Sequence, residues 1–169
     1  METSLRYSGE VKCLVLHAKQ KLAIDSETFL QVRAELDTKY GGPSYFSAML
    51  RRFYNPSQLA ASLGLGVQFD KSEKLGYVVR GKTGFPVLSD GSVKFNVKGR
   101  CDVDKDLKQR KSKGAAEFSW SVLNFQKDQD VRVKVGYDII EKVPYMQIRE
   151  NNWTVNADAT GRWNIRYDL

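Results

Sequence analysis

Long apolar runs are missing from this sequence: nowhere do about 18 apolar residues follow one another, as a membrane-spanning helix requires. A helical membrane protein is excluded. Histidine is almost absent as well. His17 has no nucleophile at a recognisable spacing, no glycine-rich phosphate loop occurs, and the scattered carboxylates are unpaired. An enzyme is therefore not expected. Cysteine is scarce, and Cys13 and Cys101 stand far apart and outside any metal-ligand spacing, which points to free thiols in a reducing setting, with no metal and no cofactor. Internal boundaries and low-complexity linkers are lacking too, so residues 1–169 read as one domain. The opening "METSLRYSGEVK" has neither the apolar core of a secretory signal nor the Arg- and Ser-rich character of a transit segment. Any organelle address is expected within the mature chain.

What the sequence does have is positive charge, +7 in net, and a pI near 9.4. An anionic partner follows: nucleic acid, a phospholipid surface or phosphorylated solutes. It also has two-residue alternation, which returns along most of the chain between short turn clusters. In "SVKFNVKGRCDV", Val93, Phe95, Val97, Cys101 and Val103 share one face and Lys94, Asn96, Lys98, Arg100 and Asp102 the other. "VRVKVGYDI", "NWTVNADATGRW" and the closing "GRWNIRYDL" repeat the scheme, the last with Trp163, Ile165, Tyr167 and Leu169 against Arg162, Asn164, Arg166 and Asp168. "LVLHAKQKLAI", "LAASLGLGVQF", "KLGYVVRGK" and "AEFSWSV" follow it less cleanly. "YGGP", "SDG", "QKDQD" and "ENN" contain the residues that tight reversals require. Two stretches admit a helix: "DSETFLQVRAEL", with Asp25 as N-cap, and "NPSQLAASL", with Asn55 as cap and Pro56 in the first turn.

Strands of ~10 residues with turns of ~4 give about twelve strands, enough to close an antiparallel β-barrel too wide for side chains to fill. If the apolar face pointed inward, it would enclose a large apolar void. If the charged face pointed outward into lipid, each Lys or Arg at midplane would cost ~2–4 kcal/mol, on the order of ten for Lys94, Lys98 and Arg100 together. The favoured reading is all-β: a closed transmembrane barrel with lipid against the apolar face and water against the charged one. Trp120, Trp153, Trp163, Tyr77, Tyr137 and Tyr167 all fall on the apolar face, where interfacial girdles belong. The alternative is a soluble basic β-protein that binds nucleic acid or a lipid ligand. Nucleic-acid binding predicts aromatic rings interleaved with Lys and Arg on one face, and here they lie mostly on opposite parities.

The strings "METSLRY", "FSWSVLNFQKDQD", "QIRENNWT" and "GRWNIRYDL", spread from end to end, resemble the chloroplast outer envelope pore protein 21 family of plants. The resemblance implies a β-barrel in the plastid outer envelope, inserted without a cleavable transit peptide. It also implies an anion-selective, rectifying channel for phosphorylated carbohydrates such as triose phosphates, 3-phosphoglycerate and phosphate, modulated by ATP in the pore. The expected partners are phosphorylated small anions and membrane lipid, with no nucleic acid, and a homo-oligomer remains open. Parity nominates Arg33, Lys94, Lys98, Arg100, Arg132, Lys134, Arg162 and Arg166 as pore-lining, anion-binding residues, with Lys19, Lys21, Arg80 and Lys82 from the less regular segments. His17 is either a pH-tuning group or a bystander. "DKDLKQRKSK", with Lys105, Lys108, Arg110, Lys111 and Lys113, is expected to be a loop, either a charged funnel or merely solvated.

Overall fold

A two-faced strand leaves its backbone edges unpaired, and in a membrane every edge must be closed. The computed structural model describes residues 1–54, 60–70, 75–106, 109–126 and 129–169. Those residues form twelve strands and no helix: β1 (Glu2–Ser8), β2 (Cys13–Ala23), β3 (Thr28–Asp37), β4 (Gly42–Tyr54), β5 (Ala60–Asp70), β6 (Leu75–Pro86), β7 (Val93–Asp104), β8 (Arg110–Gln126), β9 (Gln129–Asp138), β10 (Val143–Glu150), β11 (Trp153–Asp158) and β12 (Trp163–Asp168). Each strand pairs antiparallel with its sequence neighbours, and β12 returns to pair with β1, closing the barrel. The seam runs from Ser4 opposite Asp168 to Ser8 opposite Asn164. "GRWNIRYDL" is thus the closing strand. Its alternation must match β1, and it does: Leu5 faces Tyr167 and Tyr7 faces Ile165 on one side, while Arg6 faces Arg166 on the other.

Burial is inverted relative to a soluble protein. The buried set is largely polar, including Ser4, Gln31, Ser47, Ser62, Asn96, Glu117, Ser119 and Thr154, whereas Leu50, Leu65, Phe118, Trp120, Val135 and Trp153 are exposed. Such an apolar surface requires lipid. The outward rings form two belts. At the end that holds both chain termini lie Tyr54, Trp120, Trp153 and Tyr167, with Trp153 and Tyr167 rings 4.7 Å apart. At the far end lie Tyr7, Tyr77, Tyr137 and Trp163, with Tyr7 and Trp163 rings 5.9 Å apart.

Neither stretch that admits a helix forms one among the described residues. Residues 28–37 are strand β3, not helix. Asp25 does accept hydrogen bonds from the backbone N–H groups of Glu27 (2.8 Å) and Thr28 (2.7 Å), which hold its carboxyl below the ordinary range, but this cap opens a strand. In "NPSQLAASL", residues 55–59 lie outside the described residues and Ala60–Leu63 belong to β5. One expectation requires correction: the basic segment after Asp104 is not one loop, since Arg110, Lys111 and Lys113 already belong to β8, and of its basic residues only Lys105 sits in a turn among the described residues.

Candidate functional site: the lumen and its two mouths

Cross-strand register decides which side chains share the lumen. Lys19 stands opposite Arg33, Arg80 opposite Arg100, Lys82 opposite Lys98, Arg132 opposite Arg149, and Arg6 opposite Arg166. Lys21, Lys94, Lys134 and Arg162 occupy the same inward parity on β2, β7 and β9 and just before β12. All twelve residues nominated from the sequence therefore point into the barrel. Like charges directly opposite each other destabilise a sheet. Their repetition on ladder after ladder is an arrangement that stability alone would not select.

Some of these cations are neutralised within the wall. Lys19 and Lys21 share Glu2 at 2.6 and 3.4 Å, Arg100 reaches Asp102 at 2.7 Å, and Arg162 reaches Asp158 at 2.7 Å and Glu141 at 2.8 Å. Arg166 pairs with Asp168, which also holds Arg149 at 3.1 Å. Lys98 Nζ donates to Glu117 Oε2 at 2.6 Å, and the Tyr145 hydroxyl donates to the same oxygen at 2.9 Å. Glu117 is only 3 % exposed. Tyr145 reaches it by lying across Gly136, its partner on β9, where any Cβ would collide with the ring. By contrast, Arg33, Arg51, Arg80, Lys82, Lys94, Arg132 and Lys134 have no carboxylate within ion-pair distance among the described residues. Arg51 is held by neutral groups, donating to Gln31 at 3.3 Å and Ser62 at 3.0 Å. Turning the Gln31 amide over puts its oxygen 2.5 and 2.7 Å from Arg33 instead, so the amide accepts from one of the two guanidinium groups and not from both.

Two cavities, one near each mouth, differ in the charge of their linings. Near the end with the termini a cavity of about 850 Å³ is lined by Lys19, Lys21, Arg51, Lys82 and Lys94 together with Phe53, Ser62, Asn96 and Asp90. At the far mouth a cavity of about 550 Å³ is lined by Asp70, Asp102 and Asp104 with Arg110 and Lys111. Asp37, Asp138 and Asp158 end their strands at that same mouth. Two inward rings, Phe29 and Phe53, meet edge to face at 5.6 Å near the cationic mouth. His17 is 4 % exposed beneath Ser4, with Oγ 3.5 Å from Nδ1, and is part of the wall.

The sequence reading passed over Arg6, Arg51, Arg149, Lys111 and Lys113 as lumen residues, and with them Glu117, Tyr145, Phe29 and Phe53. For Arg6 and Arg149 the signal was present, since "SLRYS" and "YMQIRE" alternate like the other strands. For Phe29 and Phe53 it was not, because rings on the polar parity break the rule that defines the faces.

A profile of the family described as chloroplast outer envelope pore protein OEP21 matches residues 3–169. The chain belongs to that family. It is 58 % identical over 179 residues to outer envelope pore protein 21 of Pisum sativum and 57 % identical over 169 residues to outer envelope pore protein 21A of Arabidopsis thaliana, with both partners covered completely in each case. The rice protein, from Oryza sativa subsp. japonica, is 38 % identical over 187 residues, again with full coverage of both. Among solved structures, the KdgM porin in complex with disordered oligogalacturonate covers 99 % of this chain and 96 % of its own, at a TM-score of 0.67 and 10 % identity. The NanC porin covers 99 % and 97 % at 0.60 and 8 %. At such identities the likeness concerns the fold, a porin-like barrel. OEP21 proteins are pore proteins of the chloroplast outer envelope, not enzymes, and this chain is one of them.

Proposed function

We propose that the pore is an anion-selective, rectifying channel that passes phosphorylated carbohydrates such as triose phosphates and 3-phosphoglycerate together with inorganic phosphate, and that ATP binding in the pore modulates it. The reading rests above all on the paired like charges: cations face cations at Lys19–Arg33, Arg80–Arg100, Lys82–Lys98, Arg132–Arg149 and Arg6–Arg166. A wall of this kind repels cations and lowers the energy of a phosphate dianion at every level. Arginine offers its planar fork to phosphate oxygens, and lysine a mobile point charge. Each contact in water contributes only ~1 kcal/mol, so a few of them hold a solute at about millimolar affinity. Binding that weak permits release, which conduction requires. The pore-lining anion contacts are the nominated set, Lys19, Lys21, Arg33, Arg80, Lys82, Lys94, Lys98, Arg100, Arg132, Lys134, Arg162 and Arg166, extended by Arg51 and Arg149. Rectification follows from the mouths: an anion entering from the lysine-lined end meets attraction first, and one entering past Asp70, Asp102 and Asp104 meets repulsion. Membrane lipid is the partner of the outer wall.

The test is flux. Liposomes carrying the purified protein should release 3-phosphoglycerate or phosphate much faster than an uncharged triol of the same size, and high salt should narrow the difference by screening. Equal release of charged and uncharged solutes would contradict the reading.

A further inference from the structure

The wall of the barrel is not equally tall all round. β1, β10, β11 and β12 have 7, 8, 6 and 6 residues, whereas β4, β6 and β7 have 13, 12 and 12. A tilted strand needs ~9–11 residues to cross a bilayer. On β7 the outward side chains are apolar or glycine from Val93 to Val103, which at ~3.3 Å per residue and a tilt of ~40° is about 25 Å along the membrane normal. Within β12 they run only from Trp163 to Tyr167, and within β11 only from Trp153 to Ala157, about 10 Å in each case. Both aromatic belts thus meet the closing strand close together, the far one as the Tyr7–Trp163 ring pair and the near one as the Trp153–Tyr167 pair. Polar side chains bound the same band: Thr3 on β1 and the exposed Glu150 on β10 take outward positions, Glu150 opposite Val131 and Trp153. Tilting the barrel moves both belts of this flank together and cannot lengthen it.

We infer that the flank formed by β10, β11, β12 and β1 thins the bilayer against it and gives phospholipid headgroups a path from one leaflet to the other, so that the outer wall carries a lipid-exchange activity of its own. A wall shorter than the hydrocarbon layer draws headgroups towards its polar rim. What opposes the passage of a headgroup is the apolar depth it must cross, and at this flank that depth is less than half of the height of β7. Exchange makes and breaks no covalent bond and runs in both directions. The flank is not shaped for a second protein wall: close approach within a membrane favours small residues, and these stand on the tall side, where Gly81, Gly99 and Gly114 lie in register across β6, β7 and β8. The activity is independent of what passes through the lumen.

The probe is a short-chain fluorescent phosphatidylcholine placed in both leaflets of dioleoyl phosphatidylcholine liposomes, and the reader is fatty-acid-free albumin, which extracts the probe from the outer leaflet and is too large to enter the lumen. Protein-free vesicles should give up about half of the probe, and vesicles that hold the wild type nearly all of it. T3L/E150L, which raises the apolar band at the rim, should slow the exchange at least about three-fold while leaving the chloride reversal potential unchanged. In a C13S/C101S background, a bimane label at V155C, in the middle of the flank, should report a more polar setting than one at V97C on the tall side. Wild-type extraction that stops where protein-free vesicles stop, or equal emission from the two labels, would overturn the inference and leave the channel standing. So would oxidative cross-linking of V155C into a dimer at high dilution in lipid, because a second copy would then cover the flank. If T3L/E150L fails to insert, wild-type extraction and the two labels decide.

Discussion

Lys98 shows how a single side chain can be in the lumen and yet not free in it. Its ammonium is bound to Glu117, a carboxylate 3 % exposed within the wall, and both meet the Tyr145 hydroxyl. Removing one member therefore has opposite consequences depending on which is removed. E117Q should release Lys98 to the pore water and increase the anion preference, at modest cost, because glutamine keeps the hydrogen bond to Tyr145. K98M should lower the anion preference and also destabilise the barrel by on the order of 3 kcal/mol, since an uncompensated charge stays buried. Reversal potentials and urea unfolding of the two variants in lipid check both signs. Sequence parity placed Lys98 on the correct face, but its partner was invisible, because Glu117 meets it only through the β7–β8 register and Tyr145 only by crossing Gly136.

At the level of strands, period two was legible wherever apolar residues were long and regular, as in β7, β9 and β12, and it was enough to predict twelve strands and a closed barrel. It was less legible where helix-forming residues admit another period. In "TFLQVRAEL" the local preference for helix is outweighed by pairing on both sides, with β2 and β4. It failed at Arg110–Lys113, where a dense run of charge reads as loop but two of its lysines point inward, Lys111 opposite Asp102 and Lys113 opposite Arg100. Cysteines introduced there give a direct check. K113C and K98C should react with a water-soluble thiol reagent applied to the open pore, whereas V97C and A116C should be shielded by lipid. Reactivity at V97C and A116C with protection at the other two would mean that the faces are exchanged.

For the whole molecule, the account holds that selectivity comes from summed lumen charge. An exposed charge in a watery pore acts over about one Debye length, ~8 Å at physiological ionic strength, so no single residue governs the full path. The net charge of +7 announced an excess of cations, but only the folded barrel separates those spent in ion pairs, such as Arg100 and Arg166, from those with no carboxylate in ion-pair reach among the described residues, such as Arg33, Arg80 and Arg132. The latter group should dominate. The decisive measurement is the single-channel reversal potential of the purified protein under a potassium chloride gradient, for the wild type and for R33Q, R80Q and R132Q singly and combined. The wild type should reverse near the chloride equilibrium potential, each single variant should move it modestly, and the combination should bring it close to zero. A wild-type potential near that of potassium, or one substitution abolishing the preference while the others leave it untouched, would contradict the distributed-charge account.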